Sequence, residues 1–241
     1  PYSTASCESP QRVRAIMKHL GERYTIVSPA PCSDEDILMC HSEGLLIQEK
    51  IATDRFEAAR LAAGGAIMAA ELAMDGYVGF AVARPPGHHA SPDHNWGFCF
   101  FNNIAIAVSR LLAGGKIRRA TILDIDLHFG DGTDNIFKGD RRVDVLNIGA
   151  PNPGDYLRET RDALNGVKSS DLLAVSAGFD QYELDWGGNL STENYRAIGA
   201  MAADFAAKKT GGRLFGVLEG GYYIADLGQN LEALVDGMCA G

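Results

Sequence analysis

The chain of 241 residues is 46% hydrophobic and 22% charged, which is the balance of an ordinary globular protein able to bury a sizeable core. A formal charge of −9 and a pI near 5.1 argue against a nucleic-acid partner and mildly favour a cationic ligand. Cys7, Cys32, Cys40, Cys99 and Cys239 are odd in number with no C-x-x-C pair, which argues against a disulfide framework or a thiolate zinc site and fits a reducing, cytoplasmic setting; no run approaches the roughly 18 apolar residues of a membrane span, and no basic-then-apolar leader stands at the start.

Taken in order, Ser9-Pro10 reads as an N-cap with proline at the first helical position, and Val13, Ile16, Met17 and Leu20 fall on one helical face. Tyr24 to Val27 is a short apolar run of strand character. Asp54 with Glu57 resembles a capping box opening a small-residue helix through Met74, where Gly64-Gly65 allows close packing. Strands then follow at Tyr77–Val82, Ala120–Leu123, Val143–Ile148, Leu172–Val175 and Leu214–Leu218. Between and after them come helices at Asn103–Leu112, near Tyr156–Leu164, at Thr192–Lys208 and at Ala225–Val235. Strands alternating with helices predict right-handed crossovers and a mainly parallel sheet with helices on both faces. No repeat, low-complexity tract or linker interrupts the pattern, so residues 1–241 are expected to form one domain.

Ligands of such sheets bind beyond the carboxyl ends of the strands, and four predicted strand ends run into polar clusters. These are Arg84-Pro-Pro-Gly-His-His89, Asp124-Ile-Asp-Leu-His128 with Asp131, Ala177-Gly-Phe-Asp180 and Glu219-Gly-Gly-Tyr222. Asp126 and His128, two residues apart past a strand, point to one side and can reach a metal for which Asp180 supplies a third ligand. Two carboxylates and an imidazole suit zinc, Fe(II) or Mn(II), and three protein ligands leave a position for water. Asp124 and Asp131 are then free to orient the imidazoles of His88 and His89. Each motif alone is more often a turn or a solvated loop; their convergence at one end of one sheet changes the balance. His94 sits in a polar loop and is assigned no role, His19 and His41 are expected at surface or satisfied interior positions, and Cys99 is expected to be a buried small hydrophobe.

RPPGHHA (84–90), GFCFFNNIAIA (97–107), DIDLHFGDGT (124–133), SAGFD (176–180), LSTENY (190–195) and LEGGY (218–222), in that order, resemble the histone deacetylase family, including its acetylpolyamine amidohydrolase-like members in bacteria and archaea. SPQRVRAI (9–16) and RFEAARLAAGGAI (55–67) look like the family's early helices. The resemblance implies the three-layer arginase/deacetylase α/β fold. It also implies Zn2+ held by Asp126, His128 and Asp180, with Fe2+ as the other candidate ion. In that scheme His89 moves protons, His88 is its electrostatic partner, Asp124 faces His88, Asp131 faces His89, and Tyr222 donates its hydroxyl to the developing oxyanion. Gly97 and Phe98 would line the slot for the acyl chain. A structural K+ would be held by backbone oxygens around Asp124, Asp126 and His128 together with the residue at Asn147.

Three departures from the family pattern are visible. Phe129 stands where the family commonly has a second histidine. The segment between His128 and Asp180 is short, so a second aromatic wall is expected to be missing. QEKIATD (48–54) is short where a long rim loop is usual, and no acidic residue for gripping a peptide backbone is assigned. A shallow, open site is therefore expected. The reading is a zinc-dependent amidohydrolase that removes an acetyl or other short acyl group from an amine such as lysine or a polyamine. Its alternatives are a catalytically degenerate binder of acylated amines and an arginase-like ureohydrolase, which needs more carboxylates around two metals.

Overall fold

The chain runs α1 (Pro10–Leu20), α2 (Asp34–Leu38), α3 (Glu43–Lys50), α4 (Thr53–Met74), β1 (Gly79–Ala81), α5 (Asn103–Ala113), β2 (Ala120–Asp124), α6 (Asp131–Phe137), β3 (Val143–Asn147), α7 (Pro153–Gly166), β4 (Leu173–Ala177), α8 (Thr192–Phe205), a π-helical turn (Ala206–Thr210), β5 (Leu214–Leu218) and α9 (Ile224–Met238). This is a computed structural model, and it describes residues 2 and 4–240. Among the described residues the sheet has five strands, all parallel, in the order β1-β5-β4-β2-β3. Every residue of β2, β4 and β5 is buried, as apolar runs covered on both faces must be, whereas edge strand β3 is mostly half-buried.

Alternating residues of the central strands serve two cores. Ile122, Ala174, Phe215 and Val217 pack with α4 and α5, while Leu123, Val175, Leu214 and Leu218 pack with α1, α7, α8 and α9. After β2 the chain builds outward to β3, then returns past β2 to place β4 and β5 on the other side. The winding thus reverses between β2 and β4, which is where open parallel sheets form a crevice. Register brings the strand ends level: Asp124 pairs with Asn147 and with Ser176, and Ser176 with Val217. Residues 124–131, 176–180 and 218–222 therefore leave the sheet side by side.

Three local expectations are corrected. Tyr24–Val27 joins no strand; Thr25, Ile26 and Val27 line, with Val78, Phe80 and Val82, a cavity of about 550 Å³ that separates them from the free edge of β1. An apolar extended run becomes a strand only where it can reach a partner's backbone. The Asp54–Glu57 capping box does not form: α4 starts at Thr53 behind Ala52 without a side-chain cap, which leaves Asp54 in the first turn, where a carboxylate favours the helix dipole. The short helices α2, α3 and α6 were not anticipated, although Ser33 with Asp36 forms a full capping box and Ser42 caps α3.

The glycine pair of α4 divides in function. A Cβ on Gly64 would lie 1.9 Å from the carbonyl oxygen of Ala30, so the helix and the incoming loop touch backbone to backbone. A Cβ on Gly65 would meet Pro29, Ala81 and Ala83 at ordinary contact distances of 3.7–4.0 Å. Gly64→Ala is expected to destabilise the fold by about 1–3 kcal/mol through overpacking, whereas Gly65→Ala should be neutral or stabilising by up to about 1 kcal/mol through helix propensity. Denaturant unfolding of the two variants checks the opposite signs.

Candidate active site

Beyond β2 the backbone turns so that His128 folds back over Asp126. The Asp126 carboxylate is fixed by two backbone N–H donors, His128 to Oδ1 (2.9 Å) and Gly220 to Oδ2 (2.8 Å), and the His128 ring nitrogen Nδ1 lies 3.2 Å from Oδ1. Asp180, past β4, accepts from Leu127 N–H at Oδ1 (3.0 Å). Its other oxygen, Oδ2, is buried without a hydrogen-bond donor and sits 3.1 Å from His128 Nδ1. Ligand atoms of Asp126, His128 and Asp180 thus face a common point, all within 4.8 Å of one another. Around a tetrahedral ion with bonds of ~2.1 Å, neighbouring ligand atoms are roughly 3.4 Å apart, close to the 3.1 and 3.2 Å found here. The unpartnered buried oxygen and the donor set fit a divalent cation. The charge balance agrees: burial and the neighbouring Asp126 push the Asp180 carboxyl well above its usual range, while the two carboxylates drive the His128 imidazole up to about 10.

Two imidazole–carboxylate pairs stand beside this cluster. His88 Nδ1 is 3.0 Å from Asp124 Oδ2, and both side chains are buried. His89 Nδ1 is 2.6 Å from Asp131 Oδ1, and Asp131 Oδ2 accepts the Trp96 indole N–H at 2.9 Å. The carboxylates assign an Nδ1–H to both rings; Nε2 of His88 then faces Asp126 Oδ1 at 3.7 Å, and Nε2 of His89 is left to act. Burial opposes a charge on His88, but Asp126 and Asp124 together outweigh it and raise His88 well above its ordinary value. Burial, and then the charge of His88, hold His89 down to about 4. The imidazole centroids are 4.0 Å apart, so a charge on one ring disfavours a charge on the other.

Tyr222 reaches the site on a loop that is clamped from below and above. Fully buried Arg12 donates to the carbonyl oxygens of Glu219 and Gly221, the latter at 2.6 Å, and its guanidinium lies 5.0 Å from the Tyr222 ring centroid. Asp185 Oδ2 accepts the backbone N–H groups of Tyr222 (2.6 Å) and Tyr223 (2.7 Å). Burial raises the Tyr222 hydroxyl far above its usual range, so it stays protonated and able to donate. Glu219, fully buried, accepts the backbone N–H groups of Gly87 (2.6 Å) and His88 (3.1 Å) and so tethers the histidine loop to the end of β5. Arg12, Asp185, Trp96 and Trp186 received no role from the sequence, and Glu219 was placed at a strand end without one. For Arg12 a signal existed: Arg12, Ile16 and Leu20 form the buried stripe of α1, so a charge falls where an apolar residue belongs.

The side chains enclose a cavity of about 170 Å³, lined by His88, His89, Phe98, Asp126, His128 and Tyr222 with both tryptophans. Gly97 must be glycine twice over: its φ is +59°, and a Cβ would lie 2.4 Å from the His89 ring. The expected lack of a second aromatic wall is corrected. Trp186, from the loop after β4, stacks on Tyr222 (centroids 4.2 Å apart), and Trp96 packs on His89. Counting residues between His128 and Asp180 located one loop as short but could not reveal that other loops supply the walls. Phe129 turns to solvent, and Asn147 Oδ1, the side chain considered for K+, accepts the Gly130 N–H at 2.8 Å. His94 is exposed against Asp93, and His19 meets Glu232. Burial pushes the Cys99 thiol well above its ordinary value, as an inert cysteine requires.

A histone deacetylase domain matches residues 48–153. The chain is 31% identical to a histone deacetylase-like amidohydrolase of Pseudomonas aeruginosa, over 92% of this chain and 74% of that protein. The chain belongs to the histone deacetylase family. It is also 33% identical to a probable deacetylase of Archaeoglobus fulgidus, over 84% of this chain and 70% of that one. The solved HDA15 HD domain superposes with a TM-score of 0.82 at 23% identity, covering 97% of this chain and 84% of the other, so the fold is the arginase/deacetylase α/β fold. Family membership marks the chain as a hydrolase of the deacetylase and amidohydrolase kind.

His41 ties Ser91, just past the histidine pair, to Asn102 at the start of α5. Its Nδ1–H donates to Ser91 O (2.9 Å) and its Nε2 accepts the Asn102 N–H (2.9 Å), an arrangement only the neutral ring can make. Burial holds its pKa down to about 4, below the 6.5 of an unfolded histidine. The folded value lies below the unfolded one, so this contribution is complete above pH 6.5 and is lost as pH falls towards about 4, by up to about 3 kcal/mol. Unfolding free energies of wild type and His41→Gln across pH 4–7 should show a steeper acid loss in the wild type.

Proposed function

We propose that the protein is a zinc-dependent amidohydrolase that removes an acetyl or similarly short acyl group from an acylated amine of the acetyl-lysine or acetylpolyamine class. The observation that carries this reading is the arrangement of three ligand atoms of Asp126, His128 and Asp180, two imidazole–carboxylate pairs and one tyrosine around a single small cavity. A divalent cation held by those three residues would polarise the amide carbonyl and make a water more acidic. Two carboxylates with one imidazole suit zinc, and Fe2+ as the other candidate.

The protein's own groups supply the rest. His89, with Nδ1–H committed to Asp131, accepts a proton from the attacking water at Nε2 and returns it to the leaving amine. His88, drawn towards its charged form by Asp126 and Asp124, is the electrostatic and hydrogen-bonding partner packed against His89. The Tyr222 hydroxyl donates to the oxygen of the tetrahedral intermediate, and Arg12 and Asp185 keep its loop in place. Phe98 and Trp186 exclude water from the acyl group, and the small volume favours short acyl chains. The net charge of −9 favours a cationic amine as substrate and disfavours nucleic acid. A single catalytic domain acting in the cytoplasm completes the proposal; among the described residues no helix is long and apolar enough to cross a membrane. The other cluster of potential ligands, His88, Cys99 and Glu219, favours no second metal, because Glu219 Oε2 already holds two backbone N–H groups.

Acetate release from an acetyl-lysine peptide and from acetylated polyamines, with zinc-loaded and chelator-stripped protein, tests the reading; release that ignores the chelator, or bound zinc without any release, would overturn it. Asp180→Ala should lose bound metal and turnover together. Tyr222→Phe should retain metal, read by metal analysis of the purified protein, and lose about 10²–10³ in kcat.

A further inference from the structure

Trp96 is half exposed, with 51% of its surface open to solvent, so its presence is not explained by core packing. Its polar and apolar parts are nevertheless both engaged with one pair of residues. The indole N–H is spent on Asp131 Oδ2 at 2.9 Å, the oxygen that His89 does not use. The indole face lies on the His89 ring with centroids 4.0 Å apart and planes inclined by 33°. His88 approaches the same ring at 4.0 Å between centroids, so the His89 imidazole packs against both an indole and a second imidazole.

The backbone that delivers Trp96 is itself unusual. Gly97 and Phe98 both have positive φ, +59° and +67°, and Phe98 is the sole non-glycine residue with this conformation among the described residues. Such a turn is disfavoured for a bulky side chain and persists only where surrounding contacts impose it. It sends Phe98 into the cavity and leaves Trp96 on His89, while Cys99 N–H closes the turn on Trp96 O at 3.0 Å. Asp131, a third exposed, would otherwise be free to rotate or to exchange His89 for water. One oxygen held by an imidazole and the other by an indole fix its plane.

We propose that Trp96 is a positioning residue for the reaction: it locks the Asp131 carboxylate through its N–H and restrains the His89 ring by stacking, holding His89 Nε2 towards the substrate. The role rests on the assignment of His89 as the group that moves protons. It acts on orientation rather than on affinity, since the N–H is committed to Asp131. Its removal therefore lowers kcat and leaves KM nearly unchanged.

The test uses the full chain and two replacements. Trp96→Phe keeps an aromatic face and deletes the donor; benzothienylalanine at position 96 keeps the whole bicyclic shape and deletes the donor alone. With zinc-loaded protein and an acetyl-lysine peptide, both are expected to lose about 10-fold in kcat with KM within about twofold and with the thermal midpoint unchanged. A readout free of turnover is the downfield His89 Nδ1–H proton resonance, assigned by its loss in His89→Ala. It should be sharp in wild type and broadened by solvent exchange in both replacements. Unchanged kcat and resonance in the benzothienyl variant would overturn the donor role, and a loss that tracks a fall in thermal midpoint would show Trp96 to be merely structural. If wild type releases no acetate, the proposed activity fails, and the resonance alone still decides whether Trp96 orders the His89–Asp131 pair.

Discussion

Four carboxylates, Asp124, Asp126, Asp180 and Glu219, are taken almost wholly out of water at the carboxyl ends of three adjacent strands, and each is at most 2% exposed. Burying that much negative charge in one place is tolerable only if every group finds a compensating partner. Much of the architecture around the crevice answers this demand. Backbone N–H groups of Gly87, His88, Leu127, His128 and Gly220 point at carboxylate oxygens instead of at other carbonyls. His88 is pulled towards its charged form by Asp126 and Asp124. What is left over is Asp180 Oδ2, the oxygen without a donor, and it faces the imidazole of His128 and the carboxylate of Asp126. The uncompensated remainder of the charge is located where a cation fits.

The same demand couples distant parts of the chain. Arg12 comes from the first helix, yet it closes the loop that follows the last strand, through carbonyl oxygens more than two hundred positions away in sequence. Its guanidinium is buried and lies 3.6 Å from Glu8, which in turn meets Arg84 at 2.6 Å beside the histidine loop. Hydrogen bonds from a buried cation to backbone carbonyls are directional and costly to leave unmade, so they fix loop positions better than apolar packing would. Tyr222 and the two histidines are therefore set relative to each other by charge, whereas the layers beneath them are set by apolar burial.

Around this charged floor the walls are aromatic and are borrowed from several loops. Phe98 and Trp96 come from the loop before α5, Trp186 from the loop after β4 and Tyr222 from the loop after β5. Short connections elsewhere, such as the two residues between α3 and α4, thus do not leave the cavity without aromatic walls. Those walls come from a few bulky rings packed edge and face on one another.

The sequence by itself determined the elements whose signal is local. Largely apolar runs such as ATIL and LFGVL read as central strands, and the DIDLH and SAGFD clusters as strand ends, because a buried parallel strand carries little charge along its length. The capping residues Ser33 and Ser42 were not read from the sequence, because the helices behind them are too short to show a periodic apolar face. Tyr24–Val27 went the other way: its pattern is that of a strand, and whether a strand forms depends on a partner that local sequence does not contain. Only the tertiary structure decided which backbone N–H groups the buried carboxylates obtain, which carbonyl oxygens Arg12 holds, and that Trp96 and Trp186 stand over the site. The physical reason is range. Propensity and patterning act over a few residues, whereas the compensation of buried charge is arranged among loops that register between strands brings level, with no trace of the pairing in the spacing along the chain.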